Sequence, residues 1–371
     1  MRGEYAAAGV DYTKIEPFKR AMIRAGSQTL NFPNSREVYV NEDVLNSHGA
    51  VFEYSGLLTS WWCVTQEGLG NLNWIAEWMY QNTGKSHYDV VARAAALIIA
   101  IDVISQGAMP VVWTDEVACG DSEWFTDEKR SEDYARGCVE VCREVGMALP
   151  AGESSSLRYL IKSAPPVVSA PSLSGSITGI IAPKRRLITG RDLRPGDRIL
   201  VDPSTGLGAN GISLVIKRAT SGELPDQFLT KLPTGRTLGE ECLIPIKSHV
   251  KFVEHLLEQK VDIHALLAAT GDGVGKIAFD KRPYTYRIHS WVEVPPLFKF
   301  MREIGVSLLD CLKTFNYGAG LYLFVPPSQV DDVIRIGKEV GHAITEVGVV
   351  EEGERKTIFQ PEGIILPPPG E

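Results

Sequence analysis

An aspartate that closes an apolar helix just before a sharp turn is placed to do electrostatic work. In "DVISQGAMP", residues 102 to 110, Asp102 ends the apolar run, Gly107-Ala108 turns the chain and Pro110 opens the next strand. A carboxylate near a buried turn needs a partner, and magnesium or a lysine is the usual solution. The structural alternative is that Asp102 caps neighbouring backbone. A second stretch, "TGDGVGKI" at 270 to 277, gathers three glycines and a lysine. Glycine-rich backbone can approach phosphate oxygens, and a lysine behind it can neutralise them. The nucleoside-triphosphate loop, however, needs glycine, four residues, then glycine-lysine-serine or threonine. Thr270 stands at its first position and Ile277 at its last, so the motif fails at both ends. A tight turn between a buried strand and a helix is the simpler reading.

The elements that must hold these residues follow from hydrophobic periodicity. "AVFEYSG" and "TSWWCVT" read as strands, "LNWIAEWMYQNTG" as a helix stopped by Gly84, and "MPVVWTDEVA" as another strand. Residues 121 to 133, "DSEWFTDEKRSED", read as an exposed acidic loop leading into the helix "YARGCVEVCREVGM". Proline and glycine in "SAPPVVSAPSLSG" mark a connection before the strand "SITGIIAP". From "RPGDRILVDPSTG" the pattern restarts with a strand, a glycine-rich turn and a helix beginning near Asn210. "HVKFVEHLLEQ" and "PPLFKFMREIG" are amphipathic helices, and "AGLYLFVPP" is a strand closed by prolines. The last helix, "DDVIRIGKEVG", carries Asp331 and Asp332 at its positive end.

At 371 residues, two domains are expected, 1–183 and 184–371. Hydrophobic residues at 44% and charged residues at 23% are ordinary for a soluble globular enzyme. A net charge of -8 argues against a nucleic-acid binder, and Lys184-Arg185-Arg186 and Lys281-Arg282 are short enough to be solvated turn ends. "MRGEYAAAGVDY" shows no secretory pattern. The apolar run Val90 to Ser105 is interrupted by Arg93 and Asp102, short of the roughly 20 residues of a membrane span. Six cysteines lie along the chain without a framework, and Cys138 and Cys142 sit four apart as helix core residues do. A reduced, cytoplasmic protein is expected. His264, on a helix face, and His249, at a helix start, are read as structural.

The pattern of aspartate, four residues, then glycine-alanine-any-proline resembles the superfamily of aminoimidazole ribonucleotide synthetase, also called phosphoribosylformylglycinamidine cyclo-ligase. The resemblance continues in "YAAAGVD" at 5 to 11, "GAVFE" at 49 to 53, the glycine-glutamate loop "PAGESSS" at 150 to 156, and "GDRILVDPSTGLGANGISLV". "PPLFKFMREIG" with "KTFNYGAGLYLFVPP" is more similar to the cyclo-ligase than to its superfamily relatives. The reactive cysteine of selenophosphate synthetases has no counterpart, since the first cysteine is Cys63, inside a strand pattern. The C-terminal cysteine of the carbamoyl-dehydrating relatives is also missing from "PPPGE".

The resemblance implies an α/β (α+β) protein of two domains, a homodimer whose N-terminal sheets form a barrel, and ATP with Mg2+ in a cleft between domains. It implies ATP-dependent cyclisation of formylglycinamidine ribonucleotide to aminoimidazole ribonucleotide, with no nucleic-acid or membrane partner. The alternatives are an ATP-dependent enzyme of the same superfamily acting on a different amide or acid, or a catalytically weak nucleotide-binding homologue. Carried onto this chain, the resemblance assigns Glu67, Asp102 and Asp115 to metal and phosphates. Gly68, Gly70 and Gly107 provide close backbone approach. Glu153, Asn210, Gly211, Ser213 and Asn316 contact substrate, with Asp102, Glu153 and Asn210 as the catalytic set. The chain departs from the family in four places. "TQEGLGNL" lacks the lysine of the ATP-facing loop, and Ile101 replaces the asparagine before Asp102. "AGES" replaces glycine-glycine-glutamate-threonine, and Gly208 replaces a histidine. "TGDGVGKI" falls at a family turn near the substrate phosphate, after a "VDIHAL" helix, with Asp272 where a glycine is expected.

Overall fold

A computed structural model describes residues 11–42 and 50–370. The stretch 5–10 of "YAAAGVD", Gly49 of "GAVFE" and the final Glu371 lie outside the described residues. Two compact units divide the chain: Met1–Val103 with Pro110–Lys184, and Ile104–Met109 with Arg185–Glu371.

The first unit begins with helix α1 (Tyr12–Ser27), whose first turn is capped by the Asp11 carboxylate accepting from the Thr13 N–H. Strands β1 (Val38–Val40) and β2 (Phe52–Tyr54) pair antiparallel. Then come β3 (Trp61–Gly68), α2 (Leu72–Thr83), α3 (Tyr88–Ser105), β4 (Met109–Cys119), α4 (Glu128–Val145), β5 (Ala148–Ser156) and β6 (Ser172–Ile181). The sheet order is β3-β6-β4-β5. β3 runs antiparallel to β6, and β4 parallel to β5. α3 is apolar on nearly every side, as a core helix must be. β3 alternates instead: Cys63 and Thr65 are half-buried, while Trp62, Val64 and Gln66 face outward.

Two segments of this unit differ from the sequence-based expectation. The acidic stretch at 121–133 is not an exposed loop. Ser122–Thr126 forms a 3-10 turn with Trp124 and Phe125 buried, and Asp127 caps α4 by accepting from the Arg130 N–H at 2.9 Å. The two aromatic rings pack on Phe18 of α1 at 5.9 and 5.1 Å, a long-range contact that charge counting does not register. "PAGESSS" is strand rather than loop, because pairing with β4 sets Glu153 beside Glu116 in spite of the low strand propensity of glycine and serine.

The second unit carries β7 (Arg198–Pro203), α5 (Ile212–Ala219), α6 (Leu238–Cys242), α7 (Val250–Glu258), β8 (Ala265–Ala268) and β9 (Tyr284–Ile288). It continues through α8 (Pro296–Glu303), α9 (Leu308–Thr314), β10 (Ala319–Val325), α10 (Val330–Glu339), β11 (Thr345–Glu352), β12 (Lys356–Phe359) and β13 (Ile364–Leu366). The sheet order is β13-β12-β9-β11-β7-β10-β8. Every residue of β10 is buried. "VDIHAL" is not helical: His264 donates its backbone N–H to Phe324, and Ala265 to Ala268 pair with β10. His264 is therefore a buried residue at a strand edge, its Nδ1 2.7 Å from Asp197.

All six cysteines are free, with Cys138 and Cys142 buried on α4. Among the described residues, no helix is long and apolar enough to cross a membrane.

Glu77 of α2, fully buried, organises the helical side of the first unit. It accepts from the Tyr88 hydroxyl at 2.6 Å, the Trp124 indole at 2.7 Å and the Arg130 guanidinium at 2.8 Å. Removing one partner of a buried ion pair strands the other charge, at a cost of about 3–5 kcal/mol. Arg130→Ala should fall near the lower end, about 3 kcal/mol, because the guanidinium edge reaches solvent. Urea denaturation measures the loss, and a Glu77→Gln, Arg130→Met double variant should recover part of it.

Candidate functional site

The first candidate surface is the junction from β3 to α2. Glu67 and Gly68 end the strand with exposed positions, and the Leu69 N–H donates to Leu173 at 2.9 Å, anchoring the turn on β6. Gly70 then takes φ +72 with no atom within 4 Å of where a Cβ would stand, so glycine is required for its backbone rather than for space. α2 starts at Leu72 with no acidic residue in its first turn. Strand, glycine turn and helix start follow one another here, an order whose helix N-terminus favours anions in general.

Asp102 lies in the last turn of α3, half-buried, near enough to β3 that its charge raises the Cys63 thiol after burial has done so. The turn that follows is structural in a specific way. Gly107 has φ +76, its N–H donates to Ile104 at 2.8 Å, and a Cβ there would meet the Arg186 carbonyl at 2.0 Å. The expectation that Gly107 offers its backbone to a phosphate is thus corrected: its N–H is engaged and its open side is filled by chain.

Asp115 is also corrected. It points into the core below α4, is 7% exposed, and meets the Tyr134 hydroxyl at 3.4 Å. Burial pushes its carboxyl up to about 7, with the Tyr134 hydrogen bond opposing part of the rise. Glu67, Asp102 and Asp115 do not bring three ligand atoms within metal-binding reach of one another. Magnesium does not demand such a cage, since it is commonly held by one or two carboxylates with substrate phosphates and water.

Glu153 is exposed on β5, its carboxylate accepting from the Ser154 N–H at 2.9 Å. Opposite it in register is Glu116, which accepts from the Ser174 hydroxyl at 2.8 Å. Glu116 is absent from the sequence-based set. Its signal was the strict alternation of β4, which puts Asp115 and Glu116 on opposite faces.

In the second unit the expected substrate residues gather at the start of α5. Asn210 places its side-chain oxygen 3.9 Å from where a Cβ on Gly271 would lie, so the α5 turn and "TGDGVGKI" are neighbours. Gly211 is the N-cap at φ +77, packed so closely on Phe315 that a Cβ would come within 2.4 Å. Ser213 is exposed on the first turn. Asn316 is a correction: it is 5% exposed and donates to the carbonyls of Gly206 and Leu207 at 2.9 and 3.1 Å. Its oxygen accepts from Ser204 and the Gly318 N–H, so it clamps the 204–208 turn instead of facing a ligand.

The glycine-rich stretch resolves into a tight turn. Asp272 adopts φ +67, Gly273 lies against the Leu312 carbonyl where a Cβ would come within 2.2 Å, and Gly273–Ala278 forms a 3-10 helix. Lys276 reaches back to the Thr270 hydroxyl. The positive φ explains why glycine is the natural occupant of position 272.

The chain matches the models for the AIR synthase related protein N-terminal domain over residues 63–181 and C-terminal domain over 194–360. The phosphoribosylformylglycinamidine cyclo-ligase of Alkaliphilus oremlandii is 31% identical over 279 residues, 73% of this chain and 78% of the relative. That of Pyrococcus horikoshii is 27% identical over 357 residues, 95% of this chain and 96% of the relative. Among solved structures, hydrogenase maturation protein HypE in complex with ATP superposes with a TM-score of 0.61 at 14% identity, covering 89% of this chain and 91% of that one. Thiamine-monophosphate kinase from Stenotrophomonas maltophilia gives a TM-score of 0.61 at 17% identity, covering 90% and 94%. These structural likenesses concern the fold.

The Asp115 environment gives a pH dependence. Its folded pKa of about 7 lies above the unfolded value of about 3.9. Between about pH 4 and pH 7 the folded protein keeps a proton that the unfolded chain has lost, so this group's contribution to stability falls as pH rises and levels off above pH 7. Asp115→Asn should flatten that slope, raising stability at pH 8 more than at pH 5, as read from urea midpoints at the two pH values.

Proposed function

This chain belongs to the AIR synthase related family, and from that membership we propose that it is an ATP-dependent phosphoribosylformylglycinamidine cyclo-ligase of purine biosynthesis. The supporting observation in the structure is the exposed Glu67–Gly68 strand end running through Gly70 into α2, in the half of the chain that matches the family's N-terminal domain. In the reaction, the formyl amide oxygen of formylglycinamidine ribonucleotide takes the terminal phosphoryl group of ATP, releasing ADP. An amidine nitrogen then bonds to that carbon, the carbon–oxygen bond breaks, and inorganic phosphate and a proton leave with the imidazole formed.

Such chemistry asks for positioning and charge compensation rather than a protein nucleophile. The strand end offers groups that fit a triphosphate: Glu67 is exposed and Gly70 has open space where a Cβ would stand, while Asp102 supplies a carboxylate at a helix end beside Cys63. Magnesium, when bound there, would neutralise phosphate charge. The β3–β6 unit is assigned to ATP binding and dimerisation, and the β7–β13 unit to substrate. Asn210, Gly211 and Ser213 orient substrate in the second unit and Asn316 shapes their turn, while Glu153 is a separate substrate-contact candidate on β5 of the first unit. Asp115 supports the sheet from below.

A second reading is favoured by one observation. Counting along "TQEGLGNL", the family's lysine falls at Leu72, which is 1% exposed and packed in the core. With Gly208 in place of the histidine, this points to an ATP-dependent enzyme acting on a different amide or acid, or to a weak nucleotide binder. Purified protein with formylglycinamidine ribonucleotide and MgATP separates these, following ADP and aminoimidazole ribonucleotide independently. ADP and the aminoimidazole product in equal amounts support the cyclo-ligase. Nucleotide binding without the ring product would move the assignment to the second reading.

The first unit is also proposed to pair with a second copy, its sheets forming a barrel. Trp61, Trp62 and Val64 of β3 are 50%, 43% and 67% exposed, an apolar edge that needs cover. Sedimentation should give a dimer at micromolar concentration, with an interface above about 2,000 Å²; a compact monomer there overturns the barrel. For Asp102, Asp102→Asn should leave the fold intact and lower turnover about 100-fold or more, as when one preorganised electrostatic contact is lost. If Asp102 is only a cap, stability falls by about 1 kcal/mol and activity follows it.

A further inference from the structure

Asp202, at the end of β7, is fully buried, and three cationic or ring nitrogens converge on it. Its Oδ1 accepts from the Lys247 ammonium at 2.7 Å. Its Oδ2 lies 2.6 Å from Nδ1 of His249 and 2.5 Å from Nδ1 of His342. His249 is the N-cap of α7, and His342 follows α10. Three separate elements of the second unit therefore deliver one carboxylate oxygen and two imidazole nitrogens to a single point, all within 4.8 Å of one another.

Charge compensation alone does not account for this arrangement. One buried carboxylate needs one counter-charge, and Lys247 supplies it on the other oxygen. Both rings are also held in place by their surroundings. His342 stacks on Phe252 at 5.2 Å and 23°. His249 fits only because residue 320 is glycine: a Cβ there would stand 2.6 Å from its Nε2. Gly320 carries no positive φ, so its lack of a side chain makes room for the ring.

We propose that Asp202, His249 and His342 form a binding site for a divalent transition-metal cation, of the zinc or cobalt class. Two imidazoles with one carboxylate suit such ions, whereas magnesium and calcium take oxygen ligands. Three protein ligands leave a fourth position for water or another small ligand. Metal bonds of about 2.0–2.2 Å require each ring to give up its Nδ1 proton toward Asp202 and withdraw slightly from the carboxylate. Lys247 stays on Oδ1 and orients it, the role of an outer partner to a metal ligand. The site is independent of the ATP-binding reading: none of its residues lies at the β3–α2 junction or on the α5 turn.

The test uses tag-free, full-length protein stripped with a chelator, reloaded with Co2+ or Zn2+ and desalted. One metal per chain should remain, and Co2+ should give the visible bands of a four- or five-coordinate site. His342→Gln should lose those bands and fail to retain the metal through desalting, while Lys247→Met, which removes only the outer partner of Asp202, should bind about 10-fold more weakly yet give the same bands when loaded with excess Co2+. If His342→Gln does not fold, His342→Asp restores an oxygen ligand and should bind with a shifted Co2+ spectrum. Wild-type protein that retains no metal overturns the proposal. So does equal retention by wild type and a folded His342 variant, because the ion would then sit elsewhere.

Discussion

A carboxylate with no exposed surface has to be met by donors, and each unit of this protein is arranged around one. In the first unit Glu77 draws the Tyr88 hydroxyl, the Trp124 indole and the Arg130 guanidinium together, and so ties α2, α3, the 3-10 turn and α4 to one another. In the second, Asp202 gathers Lys247, His249 and His342 from segments far apart in the chain. Burial alone would raise the Asp202 carboxyl, but the two histidines hold it well below the ordinary carboxylate range. Desolvation makes each arrangement all-or-none: fully met, it fixes the relative position of several elements, and with one donor missing it leaves a stranded charge.

The candidate surfaces lie where backbone geometry, not side-chain charge, does the selecting. Gly70 has open space where a Cβ would stand and needs only its φ, just before the buried first turn of α2. Gly107, Gly211 and Gly273 are different, because each is pressed against other chain at a distance no Cβ tolerates. Glycine richness therefore has two meanings in one molecule. The open glycine beside a helix start is compatible with a phosphate, whereas the closely packed ones hold turns in shape.

Carboxylates show the same division. Asp115 and Glu116 are adjacent in the chain yet live in opposite environments, one driven toward its neutral form beneath α4 and the other hydrogen-bonded on the far face of the sheet beside Glu153. The pleat of β4 decides this, since successive side chains leave the sheet on opposite sides.

The sequence by itself determined the principal strands and helices, the Gly84 stop of α2, the buried character of α3 and the family resemblance. These rest on local periodicity, turn chemistry and ordered motifs, all carried by neighbouring residues. It misassigned "VDIHAL", "PAGESSS" and the acidic stretch before α4, where pairing with β10, pairing with β4 and packing on Phe18 override local preference. Asn316 looked like a ligand contact, but all its hydrogen-bonding groups are occupied by the turn it clamps. His249 was legible as a helix start but not as a neighbour of Asp202 and His342, which are 47 and 93 positions away. Only tertiary structure decided that convergence, because it depends on where β7, α7 and the end of α10 meet, and no local pattern encodes a distance between residues so far apart in the chain.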